Sequence, residues 1–187
     1  MQTRLPLLAA LAALATVAGT APSQASLLGH QFTASYQFPT LGDVYPFATW
    51  APATFVSGAN LETTGDVEGV TQIAVDFTAN TLSLVFTTVL TSPTWTANPF
   101  NGPVFTSTDA LGIISASVDA ATTMSGFDAS RVTFTGNEIR VDWNGLGYVS
   151  GTQVVLNFVT AAAVPEPATL AVLGVGLLGL AAVRRRA

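Results

Sequence analysis

The chain has 187 residues and a formal net charge of −5, with no cysteine, no lysine and a single histidine. That composition excludes a disulfide framework, a thiolate metal site and a Cys–His pair, and it leaves a histidine-based zinc site short of ligands. Between the two terminal segments only Arg131 and Arg140 stand against ten carboxylates, a net −8 that repels phosphate backbones and argues against nucleic acid as a partner.

Residues 1–25 read as a secretory signal peptide, which implies signal peptidase and the secretion machinery as partners. Arg4 supplies a thin positive start, Leu5 to Ala18 is an apolar run, and Gly19, Thr20, Pro22 and Ser23 break the helix. Ser23-Gln24-Ala25 offers small residues for cleavage after Ala25, whereas cleavage after Ala21 would leave Pro22 at the new terminus.

Residues 26–163 alternate in the manner of strands. Phe32, Ala34, Tyr36 and Phe38 alternate with polar partners, a half-buried strand of period two. Pro39, Gly42 and Pro46 interrupt it, Ala53 to Val56 predicts a short second strand, and Asn60 to Gly69 reads as an acidic loop. Ile73, Val75 and Phe77, the turn Ala79-Asn80, and Leu82, Leu84 and Phe86 predict a hairpin. Ser92 to Gly102 reads as loop, with strands at Val104 to Thr106 and Ile113 to Val118. A second hairpin turns at Gly136-Asn137, where glycine suits a primed turn with positive φ, and joins Val132 and Phe134 to Ile139, Val141 and Trp143. Val154 to Val159 is the last strand. No central stretch keeps a helical period, so the fold class is all-β, an antiparallel, jelly-roll-like β-sandwich of eight or nine strands.

Chemistry is sparse in this centre. His30 stands alone near its start, which leaves a Ser-His-Asp triad without support. Asp66 and Glu68 share a glycine-flanked loop, and any two of the ten carboxylates could fold into the pair that a glycosidase needs. Asp142-Trp143-Asn144-Gly145 is the only stretch with a hint of calcium, and it lacks the D-x-N-x-D-G frame, so no cofactor is expected. Trp50, Trp95, Tyr45, Tyr148 and Phe100 fall in or beside predicted loops, where they either plug the ends of the sandwich or stack on sugars; Trp95 and Tyr148 are the candidate glycan contacts. Thr94/Thr96, Thr106/Thr108 and Thr133/Thr135 place threonine pairs on strand faces, as an ice-binding surface would, but without a fixed repeat.

Residues 164–187 have three parts. Pro165 and Pro167 make Val-Pro-Glu-Pro a stiff linker. Ala168 to Val183 is apolar and uncharged, and as a transmembrane helix would span roughly 24 Å of a hydrocarbon core about 30 Å thick. Arg184, Arg185 and Arg186 then hold that end in the cytoplasm. Gly174-Val175-Gly176-Leu177-Leu178-Gly179 spells a dinucleotide fingerprint, but no strand precedes it and no acidic residue follows, so the glycines serve helix packing instead.

Pro165-Glu166-Pro167, the short apolar helix and the arginine cluster together resemble the PEP-CTERM sorting signal of Gram-negative bacteria. The resemblance implies an inner-membrane-anchored precursor, an exosortase (a membrane cysteine protease or transpeptidase) as partner, processing near Pro-Glu-Pro, and cells that make exopolysaccharide. Asn98 to Phe105, with Trp143 to Leu146, is similar to domains common in PEP-CTERM proteins. The sequence reading is therefore an exported, non-catalytic cell-surface or matrix protein associated with exopolysaccharide. An enzyme acting on polysaccharide through a carboxylate pair is the alternative, and ice binding stands behind it.

Overall fold

In the computed structural model, which describes residues 25–161, the period-two alternation becomes eleven strands and one turn of 3-10 helix at Ala129–Arg131. Strands β1 (Gln31–Gln37), β3 (Thr54–Val56), β7 (Gly102–Ser107), β9 (Val132–Phe134) and β10 (Glu138–Val141) form a five-stranded sheet in the order β3-β1-β7-β10-β9. Strands β2 (Ala48–Ala51), β4 (Thr63–Val67), β5 (Thr71–Phe77), β6 (Thr81–Thr88), β8 (Ile113–Val118) and β11 (Gln153–Thr160) form a six-stranded sheet ordered β2-β4-β5-β6-β11-β8. Every strand pair is antiparallel.

Because side chains alternate along a strand, each sheet turns one apolar face inward. Phe32 of β1 stacks on Phe77 of β5 at 4.7 Å between ring centroids, and Phe105 of β7 meets Phe77 edge-on at 5.6 Å. Ile73, Val75, Leu82, Leu84, Ile139, Val154 and Leu156 complete a fully buried layer between the sheets. The chain is thus an antiparallel β-sandwich.

Two strands were not legible. The predicted acidic loop at Asn60–Gly69 contains β4, and Trp50 lies on β2 rather than in a loop. Their register pairs Trp50 with Gly65, and a methyl group on Gly65 would sit 2.7 Å from the indole. A glycine in β4 therefore makes room for the cross-strand ring, a packing that weak local β propensity conceals. The Gly136-Asn137 turn also differs from expectation, since neither residue takes positive φ. Their carbonyls instead face inward and accept from Leu111 N–H (2.8 Å) and Ser107 N–H (2.7 Å).

The chain enters and leaves the sandwich at one end. Ala25 N–H donates to the Ala161 carbonyl at 3.1 Å, and the Thr160 hydroxyl donates to the Ala25 carbonyl. Beside them, Leu27 N–H donates to Ala79 O and Phe158 N–H to Asn80 O, both in the β5–β6 turn. The opposite end is built from the loop before β2, the β4–β5 turn, and the chain from Leu90 to Asn101 and from Asn144 to Thr152. The length of β5, 7 residues, separates the two ends by roughly 20 Å. The predicted signal peptide (apart from Ala25) and the segment 164–187 lie outside the described residues.

Candidate functional site

The end away from the chain termini holds a cavity of about 130 Å³. Tyr36 from the inward face of β1, Trp95 and Tyr148 are its buried aromatic residues; Phe38, Tyr45, exposed Glu68 and exposed Leu90 also line it. All three tyrosines of the chain, Tyr36, Tyr45 and Tyr148, line this one cavity.

A buried hydrogen-bond chain sets these rings. Trp143 Nε1 donates to the Tyr36 hydroxyl at 2.8 Å, which donates to Asn101 Oδ1 at 2.7 Å. Asn101 Nδ2 donates to Thr96 O at 2.9 Å, and Asn101 N–H to Asp142 Oδ1 at 3.0 Å. Trp143 N–H returns to Asn101 O at 3.1 Å. The two separated stretches around Asn101 and Trp143 thus meet in space. Gly102 is part of the same junction, because a Cβ there would fall 2.0 Å from the Val141 carbonyl oxygen.

Trp95 and Tyr148, the two residues expected to contact glycan, are brought together but not left open. Their rings stack at 4.6 Å and 12°, and Trp143 covers Trp95 at 5.5 Å and 28°. Both faces of Trp95 are therefore occupied, and each residue is more than nine-tenths buried. The physical reason is the closed sandwich end, where flat rings fill the gap between loops and leave no free face for a sugar to stack on. Trp95 Nε1 and Trp50 Nε1 are buried donors without a partner among the described residues. Phe100 is likewise buried, and Trp50 is half-buried.

Glu68 is the carboxylate that lines this cavity. It takes positive φ (56°), and its Oε1 accepts the Tyr45 hydroxyl. That hydrogen bond, with burial and the carboxylate's charge adding to it, pushes the Tyr45 pKa up to about 12. Burial raises Tyr36 well above its ordinary value, against the opposing Trp143 N–H, and the Glu68 charge adds to the rise. Burial also raises Tyr148, whose hydroxyl pairs with Thr71 Oγ1 at 2.8 Å, again with a contribution from Glu68. Neither arginine of the described residues lines the cavity. A shallower depression shares Tyr45 and Glu68 with it and adds Asp66 and Phe47.

The other carboxylates flagged by sequence are held by their own chain. Asp142 accepts from Asn101 N–H, Asn144 N–H (3.1 Å) and Asn144 Nδ2 (2.5 Å), and Asp66 accepts from Gly69 N–H at 2.7 Å. Among the described residues no three His, Cys, Asp or Glu side chains are grouped to hold a metal ion. His30 lies at the other end, its carbonyl accepting from Ser57 N–H. The threonine pairs separate: Thr94 and Thr96 line the cavity, Thr106 lies on β7 with Thr108 beyond it, and Thr133 lies on β9 with Thr135 in the turn. They do not form one flat array. Glu62, unremarked in the sequence, is a buried carboxylate whose oxygens accept from Gly58 N–H (2.8 Å) and Phe77 N–H (2.7 Å).

The fold and the site define a β-sandwich domain that carries its concave, aromatic end opposite Ala25 and Ala161. The C-terminal segment supplies the further identification: residues 163–186 match the PEP-CTERM protein-sorting motif. The motif covers Pro165, Glu166, Pro167 and Arg184 to Arg186, and it indicates an exported protein that an exosortase sorts from a membrane-anchored precursor to the cell surface. No curated protein and no solved structure matches the chain.

Proposed function

We propose that the protein is a non-catalytic cell-surface or extracellular-matrix component that associates with exopolysaccharide after exosortase processing. The observation that carries this reading is the sorting motif at residues 163–186. It follows a sandwich in which several carboxylates serve the protein's own backbone: Glu62 ties the β3–β4 loop to β5, Asp119 accepts from Ala121 N–H, and Asp128 from Ser130 N–H. Carboxylates committed to backbone amides are poor acids and bases for glycoside cleavage, which needs a facing pair free to exchange protons. Contact with polymer is assigned to the end away from the termini, where Leu41, Val44, Phe47, Val89, Leu90 and Val149 are exposed.

The test is co-sedimentation of the full-length protein with exopolysaccharide from producing cells, assayed in parallel for new reducing ends. Binding without cleavage is the expected result. Reducing ends that appear with the wild type and vanish with Asp66→Asn would replace the proposal by a polysaccharide-cleaving enzyme. Absence of co-sedimentation would remove the polysaccharide from the reading and leave the sorting intact.

A further inference from the structure

We propose that the cavity is a binding site for a small quaternary or alkylated ammonium group, with the aromatic side chains as its walls and Glu68 as its counter-ion. The inference stands apart from the exopolysaccharide reading and does not require it.

Size decides first between ligand classes. About 130 Å³ is the scale of a cavity that encloses one benzene-sized group, roughly six heavy atoms. A trimethylammonium head with its first methylene has five. A hexose ring with its hydroxyls has about twice that and would leave most of itself outside.

Charge decides next. Among the described residues, the only ionisable groups lining the cavity are Glu68 and the three tyrosines, and neither Arg131 nor Arg140 joins them. The Glu68 carboxylate accepts a hydrogen bond from the Tyr45 hydroxyl at this cavity. The site therefore holds a carboxylate without a cation, which disfavours phosphates, sulfates and uronic acids and favours a positive ligand. Tyr36, Phe38 and Tyr45 line the cavity together with Glu68. A cation seated among them lies within reach of more than one π system, the arrangement that recognises alkylated ammonium groups through ring quadrupoles.

Trp95 is a built-in reporter at the cavity floor. Tryptophan fluorescence of the full-length protein, to which Trp50 and Trp143 also contribute, can be titrated in a nonionic polyoxyethylene detergent with choline, with the neutral carbon analogue 3,3-dimethylbutan-1-ol, and with methyl glucoside. Saturable binding of choline, about tenfold tighter than its neutral analogue, is the expected result. Glu68→Gln keeps an acceptor for Tyr45 and should cost choline about tenfold in affinity while leaving the neutral analogue unchanged. Tyr45→Phe keeps the ring and frees the carboxylate, so choline binding should persist. Phosphatidylcholine vesicles distinguish the source: quenching by free choline alone assigns a soluble amine, and quenching by both assigns a lipid headgroup. Equal affinity for the neutral analogue, an unaffected Glu68→Gln variant, binding of methyl glucoside in place of choline, or no saturable response would each overturn the proposal.

Discussion

At the scale of single residues, the three tyrosines give the most direct readout, since all of them line one cavity and all three have raised pKa values. An exposed tyrosine ionises near 10.0, and Tyr45 is pushed up to about 12 by its bond to Glu68. Below pH 10 folded and unfolded chains are both protonated there, so the stability from these hydroxyls is fully present. As pH climbs from 10 towards 12 the unfolded chain loses protons that the folded chain keeps, and this stability is lost. Absorbance at 295 nm should therefore stay flat through pH 10 and rise steeply above it, together with unfolding. A separate tyrosinate step centred at pH 10 in the folded protein would contradict the geometry. Gly102 is a second sensitive position. Its Cβ would meet the Val141 carbonyl at 2.0 Å, and backbone cannot step aside cheaply. Gly102→Ala should destabilise by about 3 kcal/mol or more in a thermal melt, where an unchanged melting temperature would refute the close approach.

At the scale of elements, Glu62 shows how a side chain can finish a sheet. Just before β4 it accepts Phe77 N–H at the end of β5 and Gly58 N–H in the loop after β3. Glu62→Ala orphans a buried amide and should cost about 1–3 kcal/mol, read as a lower urea midpoint at unchanged slope. Glu62→Gln keeps one good acceptor and should recover part of the loss; equal stability of Ala and wild type would show the carboxylate to be idle. These features also mark the limit of what the sequence discloses. The hairpin β5–β6 and the strands β1, β10 and β11 were legible because alternation of large apolar residues announces a half-buried strand, and β3, β7, β8 and β9 were legible as short runs of apolar and β-branched residues between turn signals. Strands β2 and β4 were not, because Ala48–Ala51 lies between Pro46 and Pro52, and Thr63–Val67 carries Gly65 and Asp66. Their pairing depends on Trp50 filling the space over Gly65, which is a tertiary fact. The same holds for the site. Sequence placed Trp95, Tyr148 and Tyr45 in loops, but that Trp143 and Tyr148 both stack on Trp95, and that Glu68 bonds Tyr45 in a cavity lined by all three tyrosines, arises only when distant loops converge.

At the scale of the whole molecule, the C-terminal motif and the sandwich have separate tasks. The described chain enters and leaves the sandwich at one end, with Ala25 bonded to Ala161, and the aromatic end lies about 20 Å from that pair. The motif, by contrast, was recognisable from local chemistry alone: two prolines, a charge-free apolar run and three arginines. The most direct test of the central claim is deletion of residues 164–187 from the chain in its producing cells, followed by fractionation into membrane, periplasm and cell surface. The domain should be exported but released as soluble material in the periplasm, with none delivered to the surface. Surface delivery of the truncated protein at the level of the full chain would contradict exosortase sorting through this motif.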